Sequence, residues 1–378
     1  MKAIFKTIMF IHLCVLVGCT EVEDIDIHNV EAPVTPSAKS TSSSSIYFSE
    51  TIPYHNSSES FKLLVGKKPD LSDAKIWGYE NQYGSSYITG LESSTTYYYQ
   101  LVKYNIFGTE LKGSIESATT LIEVAPAYTS TYHCQGKDMS VTSSFKINQS
   151  VVEIKECGFE ISQDNATTKR VKSTGNYSIV EGKTYNISIS IDDNVLGEFK
   201  KGLVTYVKPY VITNEYTTYG SNTSFFPVSE EKNGIYYVDL GLPSGTLWGA
   251  HNNSADAPYL SGLYYEEEKW SKDTQNYRMP TYDDAKELYD NCTWEKTRLV
   301  NTCAKITGPN GNVIYFPFSG YYHISSGKYY EEGEDSSIWL NSKNGAYWRI
   351  LYLTEKIGYT YYSYHGYKRN IRFVKDKK

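Results

Sequence analysis

Short segments of β-forming residues, separated by turn residues, run through the first third of the chain. Valine, isoleucine, threonine, tyrosine and phenylalanine favour such segments because they suit a pleated, half-buried surface. Strands that recur this densely are typical of an antiparallel β-sandwich. The predicted strands are Phe61 to Val65, Tyr87 to Leu91, Tyr97 to Asn105 and Gly113 to Thr119.

The pattern changes to a helical period between Tyr282 and Asn291, in the last third of the chain. Thr281 is the predicted N-cap, and Asp284, three residues later, nearly completes a capping box. A strand, a tight turn and a strand precede this helix, and a buried strand follows it, so the segment predicts a mixed α+β domain. The apolar stripe of the helix consists of Ala285, Leu288 and Tyr289.

The chain begins with basic residues and an apolar run, Ile8 to Val17, of roughly ten residues. This is half of the about 20 residues that a membrane-spanning helix needs, and it is typical of a secretory signal peptide. The run ends in Leu16-Val17-Gly18-Cys19, which resembles the lipobox of bacterial lipoproteins. The resemblance implies a signal peptide over residues 1–18 and lipidation of Cys19, with palmitate among the acyl chains. The alternative is an ordinary signal peptide cleaved elsewhere.

Acidic residues follow Cys19 closely, from Glu21 to Asp26. Such a cluster is similar to the surface-export signal of Bacteroidota lipoproteins, and Thr20 is not the aspartate that retains lipoproteins at the inner membrane. The resemblance implies an outer-membrane location on the outer face. Alternatively, the charges simply solvate a tether. Residues 19–45, which are Pro- and Ser-rich from Glu31 onward, are predicted to form a flexible tether.

The stretch from Leu91 to Tyr97 resembles the turn-and-strand signature of fibronectin type III modules, in which a leucine precedes a tyrosine by six residues. The resemblance implies that the Tyr97 hydroxyl bonds back to the upstream backbone. A weaker copy ends at Tyr185, 88 residues later, and predicts a second module in tandem. Two unrelated sandwiches are the alternative. The predicted domains cover 46–122 and 123–212, with a linker over 213–233.

The segment 234–378 resembles the Fibrobacter succinogenes major paralogous domain, which is common in Bacteroidota surface lipoproteins. The resemblance implies a C-type-lectin-like fold with two small sheets, one or two helices and long variable loops. The matching segments are Val238–Trp248, Arg278–Thr281, Asn291–Trp294, Thr307–Asn312, Gly320-Tyr321 and Ile371–Val374.

Charge and motifs argue against several functions. The net charge of -6 offers no basic surface for nucleic acid. Calcium-lectin motifs are absent from the sequence, and the clusters Glu266–Glu268 and Glu331–Asp335 are expected to be solvated loops, so no metal or cofactor is predicted. No spacing selects a pair of catalytic carboxylates, and no histidine has an obvious catalytic partner. The protein is therefore predicted not to be an enzyme, and membrane contact is predicted through the lipid alone.

The mature chain has four cysteines besides Cys19, and none forms a C-x-x-C motif. A hairpin centred between Thr297 and Arg298 would place Cys292 opposite Cys303, which predicts a cross-strand disulfide between them. Cys134 and Cys157 are a weaker candidate pair.

Tyrosine is abundant, with 37 residues. Trp248, Trp294 and Trp339 lie in strand-like segments and are predicted to be core residues. Exposed aromatic clusters suit stacking on sugar rings or contact with a protein. We therefore expect non-catalytic recognition of a glycan or a surface protein by the C-terminal domain. The alternative is a structural or accessory component of a surface fibre or outer-membrane complex with no soluble ligand. The predicted ligand-binding residues are Tyr322, His323, Tyr329 and Tyr330.

Overall fold

The chain is mainly β, and it divides into two compact units between Leu121 and Ile122. A computed structural model describes residues 31–52, 60–77, 85–104, 108–129, 134–135, 139–149, 153–163, 167–175, 177, 180–266, 277–354, 358–363 and 365–376. The predicted signal peptide and Cys19 lie outside these residues.

The first unit is a sandwich of two antiparallel sheets. One sheet has the order β1-β2-β5, and the other has the order β4-β3-β6-β7, with β8 also paired to β6. Alternating residues of both sheets, such as Ile46, Ile88 and Leu101, fill the core between them. The strands are β1 (Ala38–Thr41), β2 (Ser45–Ile52), β3 (Ser60–Gly66), β4 (Lys75–Trp77), β5 (Ser85–Thr89), β6 (Thr96–Tyr104), β7 (Glu110–Lys112) and β8 (Glu116–Thr119).

The prediction of a flexible tether up to residue 45 is wrong for its last part. Strand β1 pairs antiparallel with β2. Upstream of it, the buried Thr35 hydroxyl donates to the Ser114 carbonyl oxygen at 2.6 Å and accepts from the Leu101 backbone N–H at 3.1 Å. An edge strand needs backbone hydrogen bonds more than apolar side chains, so a Ser-rich composition did not prevent pairing.

The second unit begins with another sandwich. One sheet has the order β10-β12-β15, with β9 paired to β12, and the other has the order β11-β18-β16-β13-β14, with β17 paired to β16. The elements are β9 (Glu123–Val124), β10 (Tyr128–Thr129), β11 (Cys134–Gln135), β12 (Met139–Lys146), β13 (Ile154–Gln163), β14 (Thr167–Lys172), β15 (Thr184–Ile191), α1 (Asp193–Leu196), β16 (Thr205–Thr213), β17 (Thr217–Tyr219) and β18 (Thr223–Pro227).

Both predicted tyrosine contacts are present. The Tyr97 hydroxyl accepts a hydrogen bond from the Glu92 backbone N–H at 2.9 Å, and the Tyr185 hydroxyl accepts one from the Val180 N–H at 2.8 Å. The two tyrosines nevertheless begin strands that are not equivalent. Tyr97 begins β6, the neighbour of β3, whereas Tyr185 begins β15, which pairs with β12 in the opposite sheet. The 88-residue spacing therefore does not relate equivalent strands of two modules.

The predicted linker over 213–233 is also largely strand. Strands β17 and β18 pair with β16 of the second sandwich, and β19 pairs with β20 of the C-terminal domain. Strands β17 and β19 are short and polar and give little hydrophobic signal, because their pairing depends on backbone hydrogen bonds. Strand β18 is also short, but it carries the buried Phe225 and Phe226. The second sandwich and the C-terminal domain thus lie in one compact unit.

The C-terminal domain consists of small antiparallel sheets and one ten-residue helix among the residues described. The sheets have the orders β19-β20-β21-β32, β22-β31-β26-β27, β23-β24-β25 and β28-β29-β30. The elements are β19 (Glu230–Lys232), β20 (Ile235–Asp239), β21 (Leu247–Gly249), β22 (Tyr265–Glu266), α2 (Tyr282–Asn291), β23 (Thr293–Arg298), β24 (Thr302–Thr307), β25 (Val313–Pro317), β26 (Tyr321–His323), β27 (Lys328–Tyr330), β28 (Ser336–Asn344), β29 (Tyr347–Leu353), β30 (Gly358–Ser363), β31 (Tyr367–Arg369) and β32 (Val374–Lys375).

Helix α2 begins and ends where its sequence predicts. Thr281 and Asp284 form a complete capping box, and Arg278 holds the Asp284 carboxylate from outside the helix. Ala285 and Leu288 are buried in the core, whereas Tyr289 is exposed, so the apolar stripe is narrower than predicted. The three tryptophans predicted to be core residues are buried to different extents. Trp248 and Trp339 are fully buried, and Trp294 is partly buried and packs against the same core as Trp248.

Candidate ligand-binding cleft

The four residues predicted to bind ligand lie on one hairpin, but they do not share a face. Strands β26 and β27 pair with Tyr322 opposite Tyr329 and Tyr321 opposite Tyr330. Because side chains alternate across a strand, Tyr322 and Tyr329 point to one side of the sheet. His323 and Tyr330 point to the other. The structure therefore divides the four predicted residues between the two faces of the sheet.

One face of this hairpin, here called the outer face, carries Tyr322 and Tyr329. Their ring centroids lie 5.0 Å apart, and Tyr264 packs edge-on against Tyr329 at 5.1 Å. The Lys368 ammonium lies 5.4 Å from the centroid of the Tyr322 ring. The tyrosines of the outer face contact one another.

The other face turns toward a cleft of about 260 Å³. Tyr330 stacks on Tyr321 at 5.7 Å, and His323 packs on Tyr367 at 5.1 Å. Tyr321 and Tyr367 line the cleft, and Tyr330 and His323 pack against them. The four predicted residues are not themselves in the lining of this cleft.

The cleft lies between two sheets of the C-terminal domain. Sheet β22-β31-β26-β27 contributes Tyr321, Tyr367 and Arg369, and the turn after β27 contributes Glu331. Sheet β28-β29-β30 contributes the opposite wall, which consists of Ile350, Tyr352, Tyr361, Tyr362 and Ser363. Tyr361 is 57% exposed, so its ring is accessible at the entrance. Tyr362 is 38% exposed, and the Arg349 guanidinium lies 5.1 Å from the centroid of its ring.

Arg369 lies in the cleft lining although its side chain is almost entirely buried. Its Nη1 donates to the Ser337 hydroxyl at 2.5 Å, and its Nε donates to the Ser363 hydroxyl at 3.3 Å. The guanidinium also lies over the rings of Tyr321 and Tyr367. It forms no ion pair with any carboxylate that the structure describes. Burial lowers the pKa of Arg369 to about 10, which still leaves it charged at neutral pH.

Two carboxyl groups meet beside the cleft. Glu331 lines it, and Asp335, buried beneath, accepts a hydrogen bond from the Tyr352 hydroxyl. Burial, together with the nearby Glu331 carboxyl, raises the pKa of Asp335 to about 7. The expectation that Glu331–Asp335 is a solvated loop is therefore wrong at both ends, although Glu332 and Glu334 are exposed.

The backbone holds Glu331 in an unusual conformation. Its φ of 62° lies in the left-handed region, which costs a residue with a side chain roughly 1–2 kcal/mol. The backbone N–H groups of Glu334 and Asp335 donate to the Glu331 carbonyl oxygen at 3.1 and 3.2 Å and fix the turn. Strain of this kind is common at binding sites, and here it aims a carboxylate at the cleft.

A second cleft, of about 840 Å³, lies elsewhere in the C-terminal domain. Its lining includes Tyr236, His251, Asp256 and Tyr277. The His251 ring packs against Tyr236, and burial lowers its pKa, which favours the neutral imidazole. The cleft combines amide and hydroxyl side chains with no charged group except Asp256, and it has no counterpart to Arg369 or to the carboxyl pair.

The predicted disulfide between Cys292 and Cys303 is wrong. The hairpin of β23 and β24 places Cys303 opposite Thr297, and Cys292 lies before β23 at the end of α2. Both thiols are free, as is that of Cys157. The hairpin is centred at residue 300 and not between Thr297 and Arg298, so Cys292 lies five positions away from the residue opposite Cys303. The side chain of Cys134 lies outside the described residues.

Within the described part of the chain, no three or more histidine, cysteine, aspartate or glutamate side chains cluster as metal ligands would. No helix in that part is both long enough and apolar enough to cross a bilayer.

Several solved structures are similar to this chain, among them the crystal structure of the chicken CNTN1 FN1-FN3 domains. That structure is 10% identical, and the match covers 92% of this chain and 99% of that one, with a TM-score of 0.22. A TM-score this low does not establish a shared fold. Neither a protein family nor a curated protein matches the chain by sequence.

Proposed function

We propose that this protein is a cell-surface lipoprotein whose C-terminal domain recognises a glycan or a protein without catalysis. The observation that carries the proposal is the tyrosine-walled cleft, where accessible rings surround a buried guanidinium and a carboxylate. Tyrosine supplies large, stiff contact area at a small entropic cost, and a few fixed polar groups give orientation. Tyr361 holds such area at the entrance.

The rest of the chain suits display of that cleft. Lipid attached at Cys19 would hold the protein on the outer face of an outer membrane, and the two sandwiches would act as fibronectin type III-like spacers. The sheet orders and the Tyr97 contact support this assignment of the first sandwich. We assign the C-terminal domain to the C-type-lectin-like class on its sequence motifs and its small sheets around one capped helix.

The recognition proposal is tested with the secreted, lipid-free chain. The chain is applied to a glycan array and, separately, to detergent-solubilised surface proteins. We expect retention on one of the two, and Tyr361→Ala should weaken it about tenfold or more, as is usual for a buried aromatic anchor. Tyr289→Ala is the control, because this tyrosine is also exposed but lies on α2 and does not line the cleft.

Equal retention of the Tyr361 and Tyr289 variants would refute this site. A blank array together with co-purification of a fibre subunit would instead favour the accessory role. The anchor is tested separately: Cys19→Ala should abolish incorporation of radiolabelled palmitate, and retained incorporation would refute lipidation there.

A further inference from the structure

The cleft charges balance one another before any ligand enters. Arg369 lines one wall, and Glu331, on the turn after β27, lines the same cleft. They are the basic and the acidic side chain of the described lining. Resting on the proposed function, we infer that the cleft takes a neutral saccharide, one sugar ring at a time, in preference to an acidic sugar or a cationic ligand.

A cationic ligand is disfavoured by Arg369. Aromatic rings attract cations through their faces, but the guanidinium already lies 4.9 Å from the centroid of Tyr321 and 5.5 Å from that of Tyr367. An ammonium group entering between these rings would meet a like charge in a partly dry site, where repulsion is strong.

An acidic ligand is disfavoured by Glu331. Glu331 is the acidic side chain of the described cleft lining, and Arg369 is its basic side chain. The carboxylate offsets the single positive charge of Arg369. A ligand carboxylate would therefore lack a net attraction and would have to approach Glu331.

A neutral sugar complements the same groups. Sugar hydroxyls can donate to Glu331 and accept from Arg369, whereas the exposed Tyr361 offers a ring face to the apolar side of a pyranose. The volume of about 260 Å³ lies below the roughly 300–1,000 Å³ of pockets for drug-sized ligands, which suits a single ring. The other sugar units of a polysaccharide would lie along the open entrance.

The test compares matched sugars. Neutral hexose and N-acetylhexosamine oligosaccharides are arrayed beside their uronate- and sialate-bearing counterparts at pH 7.5, and the best pairs are titrated by calorimetry with the lipid-free chain. We expect the neutral member to bind at least tenfold tighter. Glu331→Gln removes the charge but keeps the shape, so it should weaken the neutral sugar about tenfold and narrow the gap to the acidic one.

The outcomes separate the two proposals. Equal or tighter binding of the acidic member, or an unchanged gap in Glu331→Gln, overturns the inference. If Tyr361→Ala still weakens that binding, recognition by the cleft stands. Retention of proteins alone, lost in Tyr361→Ala, overturns the sugar preference and supports the broader function. Binding of any ligand that Tyr361→Ala leaves unchanged overturns both. Circular dichroism confirms that each variant is folded.

Discussion

Phe225 and Phe226 are neighbours in β18, yet their side chains enter two different hydrophobic cores. Phe225 packs in the core of the second sandwich, and Phe226 packs in the core of the C-terminal domain, beside Tyr259 and Tyr315. Side-chain alternation makes this arrangement possible, because adjacent residues of a strand face opposite sides. One strand is thus shared between two domains, so we expect them to unfold together.

Replacing either phenylalanine tests this coupling. Phe225→Ala and Phe226→Ala should each lower the free energy of unfolding by about 3–5 kcal/mol, the usual cost of such a cavity. Both should shift the same calorimetric transition, whereas Ser224→Ala, on the exposed part of the strand, should leave it in place. Two transitions, each moved by one variant alone, would show that the domains unfold independently.

Gly202 lies at the same contact between the second sandwich and the C-terminal domain. The Lys201 backbone N–H donates to the Asn312 side chain at 2.8 Å, and the Val313 N–H donates to the Lys201 carbonyl oxygen at 2.9 Å. A Cβ at Gly202 would overlap the Val313 carbonyl oxygen, and its φ of 76° favours glycine.

Gly202→Ala should therefore destabilise more than a matched change at Gly234, whose φ is 75° and whose Cβ would meet open space. Gly234→Ala should cost about 1–2 kcal/mol from backbone strain alone. Gly202→Ala should add at least about 1–3 kcal/mol from overpacking. Urea unfolding measures the free energy of unfolding of both variants. Equal losses for Gly202→Ala and Gly234→Ala would mean that close contact with Val313 does not add to the cost at Gly202.

The tyrosine contacts give a third prediction. Tyr97→Phe removes the acceptor of the Glu92 N–H, so the free energy of unfolding should fall by about 0.5–1.5 kcal/mol. Tyr185→Phe should do the same for the second unit. Tyr47→Phe, at an exposed position of the first sandwich, is the control and should be near neutral. Equal stability of Tyr97→Phe and Tyr47→Phe would mean that the contact contributes nothing.

Asp335 makes stability depend on pH. Its folded-state pKa of about 7 lies above the ordinary value of 3.8, so between these values the folded chain binds more protons than the unfolded chain. Stability should therefore fall as the pH rises through this window. Asp335→Asn cannot titrate, and its stability advantage over the parent chain should grow from pH 4 to pH 7. Glu334→Gln, one residue away and exposed, should give no such trend. Parallel pH profiles for Asp335→Asn and the parent would contradict the assigned pKa.

The cysteine assignment is tested by mass. Burial raises the pKa of Cys303 and of Cys292 to about 12, so both thiols should resist alkylation in the folded chain. After denaturation without reductant, both peptides should carry the label. A cross-linked peptide that contains both cysteines would restore the predicted disulfide.

Local patterns predicted the local structure well. The capping box at Thr281, the buried strand from Val313 and the Tyr97 contact each depend on residues close together in sequence. Pairing between distant segments was harder. Strands β1 and β18 have Ser- and Thr-rich or short sequences, so neither their existence nor their partners showed in the hydrophobic pattern.

The sequence predicted only part of the cleft, again because contacts between distant segments leave no local pattern. Aromatic density identified the hairpin that contains Tyr321 and Tyr330, and alternation implied two faces, but the sequence did not say which face meets another sheet. Arg369 carried no signal, because burial of a charge depends on tertiary packing. The acidic run at 331–335 resembled a solvated loop, and only its fold separates Asp335 from its exposed neighbours.

The proposed binding site is tested most directly by identifying the tyrosines that a bound ligand covers. Hydroxyl-radical footprinting with mass spectrometry measures this directly on the unaltered chain, with and without the saccharide or surface protein that the chain retains best. Tyr361 and Tyr329 are suited to the comparison, because they are 57% and 52% exposed and lie in the cleft entrance and on the outer face, respectively. We predict that ligand protects Tyr361 and Tyr362 and leaves Tyr329 as reactive as before. Protection of Tyr329 with unchanged reactivity at Tyr361 would contradict the cleft as the ligand site.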